Sequence, residues 1–351
     1  MFRLSFGESR PHRTLMFFEL VLSIIIGICA GIFTGLIPGI HVNLISLLIL
    51  SFSPILLTFA SPISLGAFII SMAITHSFLD VIPSVYLGAP DEAMALNVLP
   101  GHRLLLKGIG HNAIVYTLIG SLICLYLSLI LIPAFAYLMV RLQPLIKDYI
   151  GYILILIMAY MVYREKKTRW AILFFLLSGI LGMVVFSIPT LSQPLFPLLS
   201  GLFGLSLLIV SLLQEQSIPM QKEERLKLPA RTAVKAGFAA TGMGFIAAFL
   251  PGFGSSQAAI LAQQFVGDLG DEGFLALVGG INTANMLISI ATIYVLEKAR
   301  NGAILVVSKI VGTFTIQIVA GFLLVALIVS GASFLLGVRI SKVFIGIIQR
   351  V

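Results

Sequence analysis

Charged residues are scarce in this chain. Asp, Glu, Lys and Arg make up 10% of its 351 residues, whereas a soluble domain has about 25%. Hydrophobic residues reach 59% and the mean hydropathy is +1.10. A helix that spans a membrane needs about 20 apolar residues, and several long stretches contain no charge at all: 20–79, 110–140, 170–213, 236–267 and 273–296. These features predict an all-α polytopic membrane protein with nine to eleven embedded segments, and they exclude a folded domain outside the membrane.

Cysteine and histidine are also rare, which limits the chemistry that the chain can carry. The two cysteines, Cys29 and Cys124, lie inside apolar stretches and are expected to be small packing residues. The five histidines form no metal-ligand pattern, and the sequence has no G-x-x-x-x-G-K-[ST] phosphate-binding loop. We therefore expect no metal, no cofactor and no ATP hydrolysis. The first apolar stretch has no cleavage site of small residues before Pro38, so it is predicted to be the first embedded helix.

The net charge of +8 comes from clusters at the ends of the apolar stretches. Basic loops mark the cytoplasmic side of a membrane protein, so we expect these clusters and the N-terminus to be cytoplasmic in a cell-membrane protein. The clusters are Arg3, Arg10 and Arg13; Arg164, Lys166, Lys167 and Arg169; Lys222, Arg225, Lys227, Arg231 and Lys235; and Arg339, Lys342 and Arg350.

One short motif occurs twice. Gly31-Ile-Phe-Thr-Gly-Leu-Ile-Pro38-Gly39 is repeated 213 residues later as Gly244-Phe-Ile-Ala-Ala-Phe-Leu-Pro251-Gly252. The spaced glycines are typical of close helix packing. A Pro-Gly break inside an apolar stretch is tolerated only where it lines a cavity or packs against protein, and paired breaks in two halves indicate a transporter site. We therefore predict two pseudo-symmetric, inverted repeats with broken half-helices: a first repeat (1–163), a connecting hairpin and loop (164–234) and a second repeat (235–351).

Polar residues follow each break directly. Since a helix N-terminus presents free N–H groups and a positive dipole end, we expect an anionic substrate to bind there. The expected substrate-binding residues are Pro38, Gly39, His41, Asn43, Pro251, Gly252, Gly254, Ser255, Ser256 and Gln257. His41 could equally be a packing residue that is hydrogen-bonded.

Polar residues at membrane depth form a second candidate set. His76 and Asp80 are four residues apart and would share a helix face. They could carry a proton, although Asp80 could also bond the chain freed by Pro83. Residues 74–78 can be aligned with 281–285, which contain Asn282, Thr283 and Asn285; these could equally join helices by hydrogen bonds. We predict that this set binds the coupling ion, Na⁺ or H⁺. Arg103 and Lys107 are expected to be interfacial anchors.

Five segments together resemble the large permease subunit of tripartite tricarboxylate transporters (TctA-type). They are the two Pro-Gly segments, residues 88–93 (Gly-Ala-Pro-Asp-Glu-Ala), residues 101–108 (Gly-His-Arg-Leu-Leu-Leu-Lys-Gly) and residues 282–285 (Asn-Thr-Ala-Asn). The similarity covers roughly residues 15 to 311. It implies an ion-coupled secondary carrier of tricarboxylates and related small organic anions, which works with a small membrane subunit and an extracytoplasmic binding protein.

The sequence departs from that family in three respects. It is shorter than typical large subunits, Pro100-Gly101 replaces an acidic-glycine pair, and no further Pro-Gly loop follows Asn285. These departures favour a compact, stand-alone relative and leave the substrate and the partner subunits open.

Three other functions are the alternatives to this transporter, and the sequence supports them less well. A carrier or flippase for a lipid-linked phosphate, such as a polyprenyl phosphate, could use the same N–H groups. An intramembrane enzyme would need a nucleophile and a base, and Ser255 or Ser256 with His41 or His76 has no supporting spacing. The mid-membrane breaks argue against a scaffold that transports nothing.

Overall fold

The computed structural model describes residues 10–88, 92–189, 209, 219–222, 224–250, 252–297 and 301–348. Within these ranges the chain is helical and contains no β-strand. Seven of the described helices are long and apolar enough to cross a membrane, and three shorter apolar helices accompany them. The prediction of an all-α polytopic membrane protein is therefore confirmed. Most of the second arm of the expected hairpin, 194–213, lies outside the described residues.

The first half of the chain forms six α-helices and one 3₁₀ helix. Among them, α3 and α4 follow each other so closely that they form one span of 25 residues. The elements are α1 (Arg10–Leu36), α2 (Val42–Leu56), α3 (Pro62–Leu79), α4 (Val81–Tyr86), the 3₁₀ helix Glu92–Asn97, α5 (Val98–Leu106) and α6 (Gly110–Ile146).

The second half repeats this order of long and short helices. Between the halves, α7 (Ile150–Arg164) and α8 (Thr168–Phe186) pack against each other and contain no buried residue. The second half comprises α9 (Ala230–Phe249), α10 (Ser255–Val266), α11 (Gly270–Leu296), α12 (Gly302–Val311) and α13 (Ile316–Ile348). Helices α1–α6 thus correspond to α9–α13, while the exact domain limits stay a prediction.

Helix α1 packs parallel to α3, and the glycines of the first motif permit the close contact. A Cβ atom on Gly27 would lie 2.5 Å from the carbonyl oxygen of Phe68, and one on Gly35 would lie 3.0 Å from Cβ of Leu79. Residue numbers therefore rise together along both helices. Because α1 and α3 run in the same direction, the short α2 between them must return, so α1 and α2 form a hairpin whose tip is the Pro-Gly break.

The second half has the same arrangement. Near the starts of the helices, Gly273 of α11 lies against Thr232 of α9; further along, Gly244 of α9 lies against Ala284 of α11. Helices α9 and α11 are therefore parallel, and α9 and α10 form a second hairpin. At the tip of each hairpin a glycine has a positive φ, 91° at Gly39 and 76° at Gly252, a conformation that glycine adopts without steric cost.

Contacts between the halves show that the repeats are inverted. Helix α13 runs parallel to α3, since Phe322 lies beside Gly66 and Ser341 lies beside Tyr86. Helix α6 runs against α13, because its first residues contact the end of α13: His111 bonds Ser341.

Helix α6 runs parallel to α9, because Ile123 lies beside Gly237 and Phe135 stacks on Phe245. Helices α1, α3 and α13 therefore run in one direction, and α6, α9 and α11 run in the other. The inverted arrangement expected from the sequence is thus present in the packing.

This topology corrects one expectation about the basic clusters. Helix α1 starts on the side of the bundle opposite to the end of α13, which carries Arg339 and Lys342. Residues 219–227 lie on the same side as the end of α13, since the Lys222 N–H bonds the Gly108 carbonyl and the Lys227 N–H bonds the Tyr116 hydroxyl. The start of α1 and these two clusters therefore cannot all be cytoplasmic, and the prediction that all basic clusters share one side is wrong.

Candidate functional site

The first hairpin tip (residues 37–41) is a tight turn. The side chain of its last residue, His41, caps the helix that follows. The Ile40 N–H bonds the Ile37 carbonyl at 3.2 Å. His41 is the N-cap residue of α2, and its Nδ1 atom accepts a hydrogen bond from the Asn43 N–H at 3.0 Å. His41 thus satisfies one of the N–H groups that a helix start leaves free.

His41 belongs to a polar cluster with α1 and α3. Its ring lies 5.4 Å from the ring of His76, centroid to centroid, at an angle of 54°. Nδ1 of His76 is 3.2 Å from the hydroxyl of Thr34, which bonds the Gly31 carbonyl in turn. His76 is 6% exposed and lies about 21 Å along the helix from Pro62, near the middle of the span. The first tip therefore ends deep inside the bundle.

Asp80 and Asn282 connect the two halves at a similar depth. The Asn282 side-chain amide donates to Oδ2 of Asp80 at 3.4 Å, and Asp80 is 4% exposed. A charged residue within a membrane span is costly and is retained mainly for function. The sequence assigned both residues to the ion site, and the structure brings them together although they are 202 positions apart.

The glycine contacts give the register between the two halves. Gly31 lies against Met72 and Thr75, and Gly244 lies against Ile281 and Ala284. Equivalent positions in α3 and α11 are therefore 209 residues apart, whereas the alignment of residues 74–78 with 281–285 assumed 207. Consequently Asn285 occupies the place of His76, and Ser289 occupies the place of Asp80.

The second tip (Leu250 and residues 252–254) shares a glycine at positive φ and an extended N-cap residue with the first tip, but its chemistry differs. Gly254 is the N-cap residue of α10, as His41 is for α2, and it has no side chain with which to cap the helix. The Gln257 side-chain oxygen accepts from the Gly254 N–H at 3.1 Å. Ser255, the first residue of α10, is 7% exposed, and Ser256 follows it. Gly252 is in the turn itself, and Pro251 lies outside the described residues.

The side-chain amide of Asn285 makes no hydrogen bond to the described part of the chain and is only partly buried. It lies about 22 Å along α11 from Gly270, at the depth that His76 has in α3. A polar group in this position can bind a ligand without losing a bond to the protein.

Two predicted site residues have other surroundings. Oδ1 of Asn43 accepts from the Ala303 N–H at 3.0 Å, and Gly302 packs directly against its amide. Asn43 therefore links the start of α2 to the start of α12 and helps to cap the latter. Thr283 is fully buried in α11, and its hydroxyl has no hydrogen-bond partner among the described residues, so it offers no accessible group to an ion.

Two polar contacts were not predicted. Thr34 lies inside the first motif, at the position where the second motif has Ala247. This polar residue in only one of the two copies was the signal in the sequence that could have indicated its contact with His76. Arg103, expected to be an anchor, pairs through its guanidinium with both carboxylate oxygens of Asp271 at the start of α11. This hydrogen-bonded carboxylate raises the pKa of Arg103 above its usual value, and the pair joins the halves on the side where α6 begins.

Comparison with known proteins agrees with this architecture. The model of a family described as "Tripartite tricarboxylate transporter TctA family" matches residues 21–351. An uncharacterised protein of Methanocaldococcus jannaschii is 29% identical over 288 residues, which cover 80% of this chain and 70% of that protein. No solved structure matches the chain. The chain belongs to the tripartite tricarboxylate transporter TctA family.

Proposed function

We propose that this protein is an ion-coupled secondary transporter of small organic anions, such as di- and tricarboxylates, that works by alternating access. One observation carries the proposal: two inverted hairpins have tips with a glycine at positive φ, Gly39 and Gly252, at the depth of the Asp80–Asn282 contact between the halves. Transporters with inverted repeats bind substrate where broken helices meet near the membrane midplane.

The anion would bind at the starts of α2 and α10. Both helix starts present N–H groups and the positive end of a helix dipole to the space at the tips. Ser255, Ser256 and Asn285 would add hydrogen bonds. The coupling ion, H⁺ or Na⁺, would be held by the polar groups beside the first tip, among them His76, Asp80 and Asn282.

Alternating access would follow from the inverted packing. Each hairpin packs along a long helix of its own half, and the other half presents the same unit upside down. A rocking of one half against the other would open the site first to one side and then to the other. Since the basic clusters at 222–235 and 339–342 lie where α6 begins and α13 ends, we assign that side to the cytoplasm and place the start of α1 outside, in the cell membrane.

No enzymatic activity is proposed, because the family is described as a transporter family. The family description, a tripartite transporter, supports a small membrane subunit and an extracytoplasmic binding protein as partners.

Uptake of radiolabelled citrate into proteoliposomes tests the proposal. We expect uptake that requires a proton or Na⁺ gradient and is unaffected by ATP. Uptake that persists after both gradients are collapsed would rule out ion coupling. A thermal-shift comparison of citrate with a prenyl phosphate separates the anion carrier from a lipid-phosphate carrier, since only the cognate ligand should raise the melting temperature.

A further inference from the structure

The hydrogen bonds at the first tip define which nitrogen atoms of His41 carry protons. A backbone N–H can only donate, so the bond from the Asn43 N–H requires Nδ1 of His41 to accept. Nδ1 therefore carries no proton in this conformation, and the ring is neutral with its proton on Nε2.

His76 has the opposite arrangement. The hydroxyl of Thr34 has one hydrogen, which it donates to the Gly31 carbonyl at 3.3 Å. Its oxygen must then accept from Nδ1 of His76. The two imidazoles, whose centroids are 5.4 Å apart, thus differ in the role of Nδ1, which accepts a hydrogen bond in His41 and donates one in His76.

We propose that the coupling ion is a proton, that it binds to the His41–His76 pair, and that its arrival on His41 releases the cap of α2. This inference rests on the proposed function and specifies its coupling ion. A protonated imidazole donates from both nitrogens, so Nδ1 can no longer accept from the Asn43 N–H. The positive end of the α2 dipole also disfavours a cation at this place.

The helices that pack against the pair carry charged and neutral polar groups. On α3, the carboxyl group of Asp80 lies one turn beyond His76. Helix α1 contributes the neutral Thr34, which bonds His76, and α11 contributes the neutral Asn282, which bonds Asp80. Glu19 of α1 bonds Ser61 at the far end of α3, and Lys309 of α12 is eight residues beyond Asn301, about 12 Å along the helix.

Release of the cap would couple the proton to the anion. The freed Asn43 N–H and the imidazolium together form a positive, hydrogen-bonding group at the first tip, where an anion can replace the lost acceptor. The second tip lacks this device, because Gly254 stands in the place of His41 and Asn285 in the place of His76. The proton response is therefore confined to the first half.

Hydrogen–deuterium exchange of the peptide that covers the start of α2 tests the cap directly. The full chain is measured at pH 5.5 and pH 8 in parallel with His41→Asn, since asparagine caps helices and does not titrate. After correction for intrinsic exchange, we expect protection of the first turn of α2 to fall about fivefold at low pH in the wild type and to stay constant in His41→Asn. Equal pH dependence in both proteins would overturn the proposal.

A second variant keeps the test decisive if His41→Asn folds poorly. In His41→Gln the amide is too long to act as a cap, so low protection of α2 is expected at both pH values. A pH-dependent protection in His41→Gln that equals the wild-type response would contradict the cap mechanism.

Citrate-driven proton uptake, followed with pyranine inside proteoliposomes, separates this inference from the transport proposal. If the wild type moves citrate with protons and His41→Asn does so equally well, the inference fails and transport stands. If the wild type moves no citrate but the exchange experiment shows the pH-dependent cap, the transport proposal fails for this anion and the proton site stands.

Discussion

The two hairpin tips have the same backbone design and different side chains. Each consists of a long helix, a Pro-Gly break with a glycine at positive φ, and a short returning helix beside a long parallel one. Around the first tip lie His41, His76 and Asp80; the equivalent positions around the second are Gly254, Asn285 and Ser289. The two halves therefore share a scaffold, while all the titratable groups at these positions belong to one half.

This difference suggests a division of labour in a pseudo-symmetric transporter. In the proposed mechanism, the half with ionisable groups responds to a proton, whereas the half with neutral hydrogen-bonding groups binds the anion whatever the pH. The two halves meet at the Asp80–Asn282 contact. A change in the charge of Asp80 would alter its hydrogen bond with the neutral amide of Asn282 in the other half.

The largest effect is expected where the two halves pack most closely. A Cβ atom on Gly120 would overlap the carbonyl oxygen of Ala276, a backbone atom that cannot turn aside. Gly120→Ala should destabilise the bundle by about 3 kcal/mol, seen as a lower melting temperature in detergent. Gly242→Ala is the control, since nothing lies within 4 Å of its added Cβ atom; equal melting temperatures for both variants would refute the close approach.

Asp80→Asn tests whether the charge of the first half is needed for transport. A hydrogen bond to a charged group contributes about 1.5–3 kcal/mol, so citrate uptake in proteoliposomes should fall roughly tenfold or more while the protein stays folded. Ser289→Ala, at the equivalent place in the second half, should leave uptake nearly unchanged. If both variants lose uptake equally, the proposed asymmetry between the halves is wrong.

Asn285→Ala tests the proposed anion site of the second half. Its amide makes no hydrogen bond to the described residues, so its loss should not lower stability. The loss of one neutral hydrogen bond to citrate should weaken binding about fivefold, as measured by titration calorimetry. A lower melting temperature with unchanged citrate affinity would instead make Asn285 a packing residue.

The smallest effect is expected for the Arg103–Asp271 pair, which joins the halves near the surface. The Arg103 side chain is 58% exposed, and exposed pairs contribute about 0.5 kcal/mol. Arg103→Ala should therefore lower the melting temperature only slightly, and the difference should vanish at high salt because ions screen the pair. Lys107→Ala, one turn further along the chain, is the control and should show no salt-dependent difference.

The candidate site could be predicted in part. Because breaks and polar residues are conspicuous in apolar stretches, the sequence alone indicates His41, His76, Asp80, Asn282 and Asn285 as candidates. Local pattern could not show that Asn43 caps another helix, that Thr283 is sealed inside α11, or that Thr34 joins the histidine cluster. The contacts of Asn43 and Thr34 involve residues 260 and 42 positions away, and the isolation of Thr283 follows from its burial. A local sequence pattern contains neither distant contacts nor burial.

The sequence by itself determined the class of the protein. Long uncharged stretches require helices in a membrane, and a Pro-Gly motif that recurs after 213 residues requires two related breaks. Only the tertiary structure decided the direction of each helix, the register between the halves and the pairing of Asp80 with Asn282. Direction and register depend on which faces of distant helices pack together, and that is decided by contacts such as Gly31 on Thr75 and Gly244 on Ala284.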